Sequence, residues 1–191
     1  MAECFWASPP ALAEVMDLRS WGVESSNPEV VDAGELAKLA AAKWEATNDW
    51  GDRAASLKEI QDIVAATPKA EVTGMLLAGA HWFPGGLLGV CLFHRTWPGN
   101  VFVDFLAANP AAIASTPRVT GVGYGLMCFL CEAAIDLGAP ILWGETTPAS
   151  VRRYRIYFES PNLDDRLVVT SDQMRAFTLK TRQVWRGVRL P

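Results

Sequence analysis

The sequence has no block of like charge. Its 17 lysines and arginines and 21 aspartates and glutamates are scattered through 191 residues and leave a net charge of −4. Without a basic cluster there is no electrostatic footprint for nucleic acid or for an anionic membrane, and neither is expected as a partner. No uncharged apolar run is long enough to cross a bilayer. The opening MAECFWASPPALAEV lacks a basic n-region, and Pro9-Pro10 interrupts its apolar residues, so it does not read as a signal peptide. Cysteine and histidine are scarce, at 4 and 2. The cysteines, at positions 4, 91, 128 and 131, lack disulfide-framework spacing, and a reducing cytoplasm is the expected setting. Cys128 and Cys131 form a CxxC inside an apolar helical stretch, where they read as small buried hydrophobes. These few sulfur and imidazole groups make no metal constellation, and no metal is expected.

What the chain does have is apolar material: 50% of its residues are hydrophobic. That supports one core, and the expectation is a single domain over 1–191 in which residues 1–30 are the hardest to place. Val15 to Val23 reads as a first strand, with Asp17, Arg19 and Ser20 breaking its pattern. Asp32-Ala33-Gly34-Glu35 reads as a capping box that opens an alanine-rich helix to about Thr47. Asn48 to Asp52 reads as a turn. Ser56 with Glu59 marks a second helix start, Leu57, Ile60, Ile63 and Val64 recur at helical spacing, and Thr67-Pro68 ends it.

Three strands follow, Val72–Trp82, Leu87–Trp97 and Val101–Ala108, separated by Phe83-Pro84-Gly85-Gly86 and Pro98-Gly99-Asn100. Two Pro-Gly turns between apolar runs predict an antiparallel meander. Asn109 to Pro117 reads as a loop. Tyr124 to Leu137 reads as a helix closed by Gly138, with Pro140 just beyond. Ile141–Glu145 is a strand, parallel to the third meander strand by the right-handed crossover rule. Pro148–Tyr157 is a short helix. Arg166–Ser171 and Arg175–Thr181 read as a late strand pair.

The stretch that organises the rest runs from Val101 to Tyr154: strand, glycine-rich turn, helix, strand, helix. In the turn, Arg118-Val119-Thr120-Gly121-Val122-Gly123-Tyr124-Gly125 feeds a helix N-terminus. Its glycines allow close backbone approach, and the free N–H groups favour a phosphate. The spacing Gly121-x-Gly123-x-Gly125, after a meander, does not fit a dinucleotide-binding βαβ unit.

This order of elements resembles the GNAT superfamily, the GCN5-related N-acetyltransferases. Arg118-x-x-Gly121-x-Gly123 is similar to the family's pyrophosphate signature, continued by Gly125-Leu126. Phe105 to Pro110 is similar to the end of its fourth strand. Thr147-Pro148-Ala149-Ser150 with Tyr154 is similar to the segment after its fifth. The likeness covers about Val72 to Thr181. The separation from Pro110 to Arg118 is longer by several residues than in the family.

The resemblance implies a mixed α/β fold: a twisted, mostly antiparallel central sheet with one parallel strand pair, flanked by helices. It implies an acyltransferase that moves an acetyl or short acyl group from coenzyme A to a small-molecule or protein amine, by direct transfer in a ternary complex. A non-catalytic acyl-CoA-binding or interaction module is the reading from a different class. Acetyl-CoA is then the cosubstrate. Backbone N–H groups of Val119, Thr120, Gly121, Val122, Gly123, Tyr124 and Gly125 would meet the pyrophosphate, while Arg118 is read either as a phosphate partner or as a brace for the loop. Leu106, Ala107 and Ala108 would hydrogen-bond the pantetheine, with Thr147 opposite. Tyr154 is the general-acid candidate, with Tyr157 as the fallback. Asp104 and Glu145 are candidates for base or substrate anchor, against a plainer role as ion pairs with Arg95, Arg152 or Arg153. His81 and His94 lie on neighbouring strands and are read as core or surface histidines, with reach of one of them to the cleft as the alternative. Trp44, Trp50, Trp82 and Trp97 are read either as walls of an acceptor pocket or as core and interface residues. A homodimer formed through the late hairpin is a further expectation.

Overall fold

A computed structural model describes residues 2–7, 17–22, 24–47 and 52–187. Seven strands form one sheet: β1 (Glu3–Trp6), β2 (Asp52–Ala54), β3 (Val72–Gly79), β4 (Leu87–Arg95), β5 (Val101–Ala108), β6 (Ile141–Glu145) and β7 (Arg166–Thr170). The helices are α1 (Pro28–Ala46), α2 (Leu57–Ala66), α3 (Pro110–Ala114), α4 (Val122–Asp136), α5 (Pro148–Tyr157) and α6 (Ser171–Gly187). The order across the sheet is β1-β3-β4-β5-β6-β7. β1 and β2 share the outer edge of β3, β1 antiparallel beside Leu76–Gly79 and β2 parallel beside Val72–Gly74. The meander β3-β4-β5 is antiparallel, and β6 joins β5 in parallel, as the helical crossover requires.

Helices cover both faces of β3 and β4, which are therefore buried along nearly their whole length and read as continuous apolar runs. On one face α4 packs Leu126, Met127 and Leu130 onto Leu76, Cys91 and Phe93. On the other, the small Ala37, Ala40 and Ala41 let α1 approach Met75, Leu77 and Leu92 closely, with Trp44 filling the end. Fully burying one such large apolar side chain contributes about 1.5–3 kcal/mol. Gly89 sets the depth of the α4 layer. A Cβ there would stand 2.5 Å from Val122 Cγ1, so only glycine lets the helix seat.

Several elements differ from the sequence reading. Residues 17–20 are helical rather than strand, while the first strand is β1; Val15, Met16 and Val23 lie outside the described residues, as do Asn48–Gly51 of the expected turn. Helix α1 starts at Pro28, before Asp32: the Asn27 side chain accepts the Glu29 N–H at 3.0 Å, and Pro28 takes the first helical position, where its missing donor costs nothing. Ser56 caps α2 as expected, accepting the Glu59 N–H. The expected loop after β5 contains α3, capped by Asn109 and again opened by a proline.

The largest correction concerns Arg175–Thr181. It is helix α6, not a strand, so the late hairpin expected to support a homodimer does not exist. The buried residues Met174, Phe177, Thr178 and Thr181 recur at helical spacing. Phe177 enters an aromatic cluster with Tyr124, Tyr157 and Phe158 that ties α6 to α4 and α5. Tertiary packing thus overrides the strand propensity of the Phe-Thr-Leu run. Among the described residues no helix is long and apolar enough to cross a membrane.

Candidate active site

The sheet opens between β5 and β6. Parallel pairing runs through Val101↔Leu142, Phe102↔Trp143 and Val103↔Gly144, and then stops. Gly144 permits the last close approach, since a Cβ there would stand 2.9 Å from the Val103 carbonyl oxygen. Beyond it β5 stays paired with β4 alone, Ala107 with Val90 and Ala108 with Gly89. Where the strands part, the register of β4 and β5 slips. Leu92 faces Phe105 and Phe93 faces Val103, leaving Asp104 as the extra residue of a bulge. The consequence is a cleft of about 330 Å³, walled by Asp104–Ala108 on one side and by Glu145, Thr147 and α5 on the other.

The glycine turn closes one end. Gly121 caps α4 in the left-handed region, φ +83°, with no side-chain cap bond. The angle, rather than lack of space, demands glycine there. Val122, Gly123 and Tyr124 occupy the first turn, where their N–H groups have no earlier helical carbonyl to meet. Two neighbouring groups are already used: Val119 donates its N–H to Ala112 O at 3.1 Å, and Gly125 to Gly121 O at 2.9 Å. The cradle is therefore shorter than the whole expected stretch. Arg118 to Tyr124 line the cleft, whereas Gly125 does not and faces Cys4 behind it. The Arg118 guanidinium donates to Glu29 of α1 at 2.7 Å. The other Glu29 oxygen faces Arg153 of α5. One carboxylate thus gathers two arginines from two elements beside the helix N-terminus.

The far wall is α5. Thr147 and Ser150 make a reciprocal capping box, Ser150 N–H to Thr147 Oγ1 at 3.2 Å and Thr147 N–H to Ser150 Oγ at 2.9 Å. This fixes the helix so that Tyr154, one turn beyond Ser150, lines the cleft with Tyr157 beside it, ring centroids 6.0 Å apart. Tyr154 is only 7% exposed. Burial, chiefly, and then the proximity of Cys91 and Tyr157 push its phenol well above the ordinary range, against a smaller downward pull from Arg153. Burial raises Tyr157 as well, opposed by Arg153.

Two carboxylates proposed from the sequence line the same space. Asp104, its side chain only 3% exposed, has two partners, the Lys43 ammonium and His94 Nδ1 at 2.9 Å. Two of the three arginines expected as partners go elsewhere. Arg95 donates to the carbonyls of Ala70 and Pro68, and Arg153 meets Glu29. Glu145 is exposed at the end of β6 and forms no ion pair among the described residues. Of the two histidines, His94 is the one joined to the site, while His81 lies exposed in the turn after β3. Trp44 is a core residue with Arg53 stacked over it, Trp82 and Trp97 are exposed at turns, and Trp50 lies outside the described residues. None of the three described indoles lines the cleft. Sequence reading missed Lys43, whose only signal was a lysine on an otherwise alanine-rich helix face, and Glu29, hidden by the misplaced start of α1. Among the described residues no group of three or more His, Cys, Asp or Glu side chains is placed to hold a metal ion.

The molecule is thus an α/β protein with a cleft between two diverging parallel strands and a helix N-terminus at one end of it. No protein-family model matches the sequence, and no curated protein matches it. Solved structures do. The chain is similar to an acetyltransferase of the GNAT family from Staphylococcus aureus Mu50, with 7% identity and a TM-score of 0.50 over 84% of this chain and 82% of that one. It is similar to nourseothricin acetyltransferase, with 25% identity and a TM-score of 0.37 over 44% of this chain; the match spans 48% of that protein's length. A Trypanosoma brucei acetyltransferase is similar with 14% identity and a TM-score of 0.43 over 82% of this chain and 90% of that one. The first of these likenesses establishes the architecture: the chain has the fold of the GNAT superfamily.

Proposed function

We propose that the protein is an acyl-CoA-dependent N-acyltransferase that moves an acetyl or short acyl group to a primary amine. The observation that carries this reading is the free edge of Asp104–Ala108 leading to the unpaired N–H groups of Val122, Gly123 and Tyr124. The edge suits an extended amide-bearing chain, and the helix terminus suits a diphosphate. Acyl-coenzyme A has both in that order. The two arginines by the turn are held by Glu29, so the backbone supplies most of the attraction for phosphate, with Arg118 and Arg153 as reserve cations.

In direct transfer, the amine nitrogen attacks the thioester carbonyl and the sulfur leaves as thiolate. The Tyr154 phenol is protonated at neutral pH and gives its proton to the departing sulfur; the proton lost by the amine returns to the phenolate. Such acid assistance is worth about 10²–10⁴-fold. The place of Tyr154 on the cleft wall supports a catalytic role over a purely binding module. Freeing the lone pair of an ordinary ammonium at pH 7 costs roughly 4–5 kcal/mol. Asp104 and Glu145, which line the cleft, are the candidates to take or relay that proton. A covalent acyl-cysteine is not supported. No cysteine lines the cleft, and burial, before all else, raises the thiols of Cys91 and Cys131 and brings Cys128 to about 11.

The test is isothermal titration with acetyl-CoA and desulfo-CoA, repeated on the double variant Gly121→Glu/Gly123→Glu. The expected result is micromolar binding of both ligands that weakens at least 100-fold in the variant, with circular dichroism unchanged. Absence of binding to either ligand by the unaltered protein refutes the proposal.

A further inference from the structure

A row of side chains crosses the α1 face of the sheet at right angles to the strands. His94, Phe102, Trp143 and Val168 are direct register partners on β4, β5, β6 and β7. Their rings touch in series, His94 to Phe102 with centroids at 5.2 Å and Phe102 to Trp143 at 4.4 Å. The row emerges from under α1 and is progressively open, with the His94 side chain 24% exposed, Trp143 38% and Val168 51%. The rings stand tilted or edge-to-face to one another, at 44° and 73°, and Trp143 and Val168 leave apolar surface exposed on strands whose opposite face is core.

One step towards the cleft the chemistry changes. Asp104 lies on the same face, fixed by its bond to His94, and Glu145, two residues beyond Trp143, shares its side of β6. Both line the cleft. Two residues along a strand span roughly 6–7 Å. Lys43 offsets the charge of Asp104, and Arg166 is the cross-strand neighbour of Glu145 but forms no ion pair with it among the described residues. Asp32 of α1 adds a further carboxylate to the cleft lining.

Resting on the acyltransferase reading, we infer that this row is the acceptor site and that the acceptor is a cationic primary amine with a planar aromatic body. The body stacks on the exposed Trp143, whose ring stands edge-to-face with Phe102, and the ammonium points towards Glu145, with Asp104 behind it, at the mouth of the cleft where the strands part. His94 is a positioning residue here: its Nδ1–H donates to Asp104 and holds that carboxylate in place. A cation beside aromatic faces and carboxylates is favoured on both counts.

Tryptamine is the probe, with ethanolamine as an amine that lacks the planar body. Each is titrated against the unaltered protein and against Trp143→Ala, Trp143→Phe and Glu145→Gln, with and without saturating desulfo-CoA, and desulfo-CoA binding is measured separately. The expected result is millimolar or tighter binding of tryptamine, at least 10-fold weaker in Trp143→Ala, recovered in Trp143→Phe and several-fold weaker in Glu145→Gln, with desulfo-CoA affinity unchanged in all three. In turnover with acetyl-CoA, Trp143→Ala raises KM for tryptamine more than it lowers kcat. The inference is overturned if the unaltered protein does not bind tryptamine, if ethanolamine binds as tightly, or if Trp143→Ala leaves tryptamine affinity unchanged. It is equally overturned if sedimentation shows a dimer that Trp143→Ala dissociates without changing tryptamine affinity, for the row is then a subunit interface. Tryptamine binding at the row with no binding of desulfo-CoA sustains the amine site and removes the acyltransferase reading instead.

Discussion

On the α4 side of the cleft, the groups that face the open space belong to the backbone: the first-turn N–H groups of Val122–Tyr124 and the free edge of Asp104–Ala108. On the α1 side they are the side chains of Asp104 and Glu145, with the ring row of His94, Phe102 and Trp143 beside the cleft. The backbone half depends on where helix α4 seats and on a glycine in the left-handed region. The side-chain half depends on a bulge, an alternation of faces and a lysine from a helix 61 residues away in sequence. A backbone site tolerates many side chains but few displacements. A side-chain site tolerates small displacements but few substitutions.

Tyr154→Phe separates chemistry from both halves and has the largest expected effect. It keeps the ring and removes the proton donor, so kcat should fall about 10²–10⁴-fold while acetyl-CoA and amine affinities stay within twofold. Steady-state kinetics beside equilibrium titration decides it. An equal loss of binding would mean that Tyr154 is a packing residue.

Gly89→Leu attacks the backbone half without touching a ligand. The new side chain meets Val122 Cγ1 and Leu126 Cδ1, on which α4 is seated. Overpacking of this kind costs about 1–3 kcal/mol. Urea unfolding should show that loss, and acetyl-CoA affinity should drop at least 10-fold because the first turn of α4 is displaced. Amine binding at the ring row should change less.

Glu29→Gln tests how far side chains contribute to the α4 half. It releases Arg118 and Arg153 from their shared carboxylate. Acetyl-CoA should bind about 3–10-fold tighter at low salt, with the gain shrinking as salt rises. Unchanged affinity would leave phosphate recognition to the backbone alone.

Alkaline pH gives the smallest and most general effect. Burial raises the thiols of Cys91, Cys128 and Cys131 above 9.0, Cys128 to about 11. The folded state favours the neutral thiol, so the unfolded chain releases its protons first. Stability from this source is complete below about pH 9 and is lost as pH rises, the Cys128 share by about pH 11. Urea midpoints should therefore fall from pH 8 to pH 10.5, and less steeply in Cys128→Ala.

Local signals decided a good part of this protein. The Pro-Gly turns punctuated the meander, Gly121 marked a helix start that only glycine takes without strain, Gly138 and Pro140 ended α4, and Thr147-Pro148 opened α5. Each acts through the φ of its own residue or a hydrogen bond within a few positions, so sequence alone suffices to place them. The corrected elements had weaker or competing local signals. Pro28 and Pro110 opened helices that stronger-looking neighbours obscured, and Phe177 joined a helix because Tyr124, Tyr157 and Phe158 were there to receive it. The pairing of Asp104 with Lys43 and His94, the clasp of Glu29 on two arginines, and the alignment of Trp143 with Phe102 and His94 came only from tertiary structure. These contacts join residues distant in sequence, and their geometry exists only once the sheet has its register, its bulge and a helix laid across it.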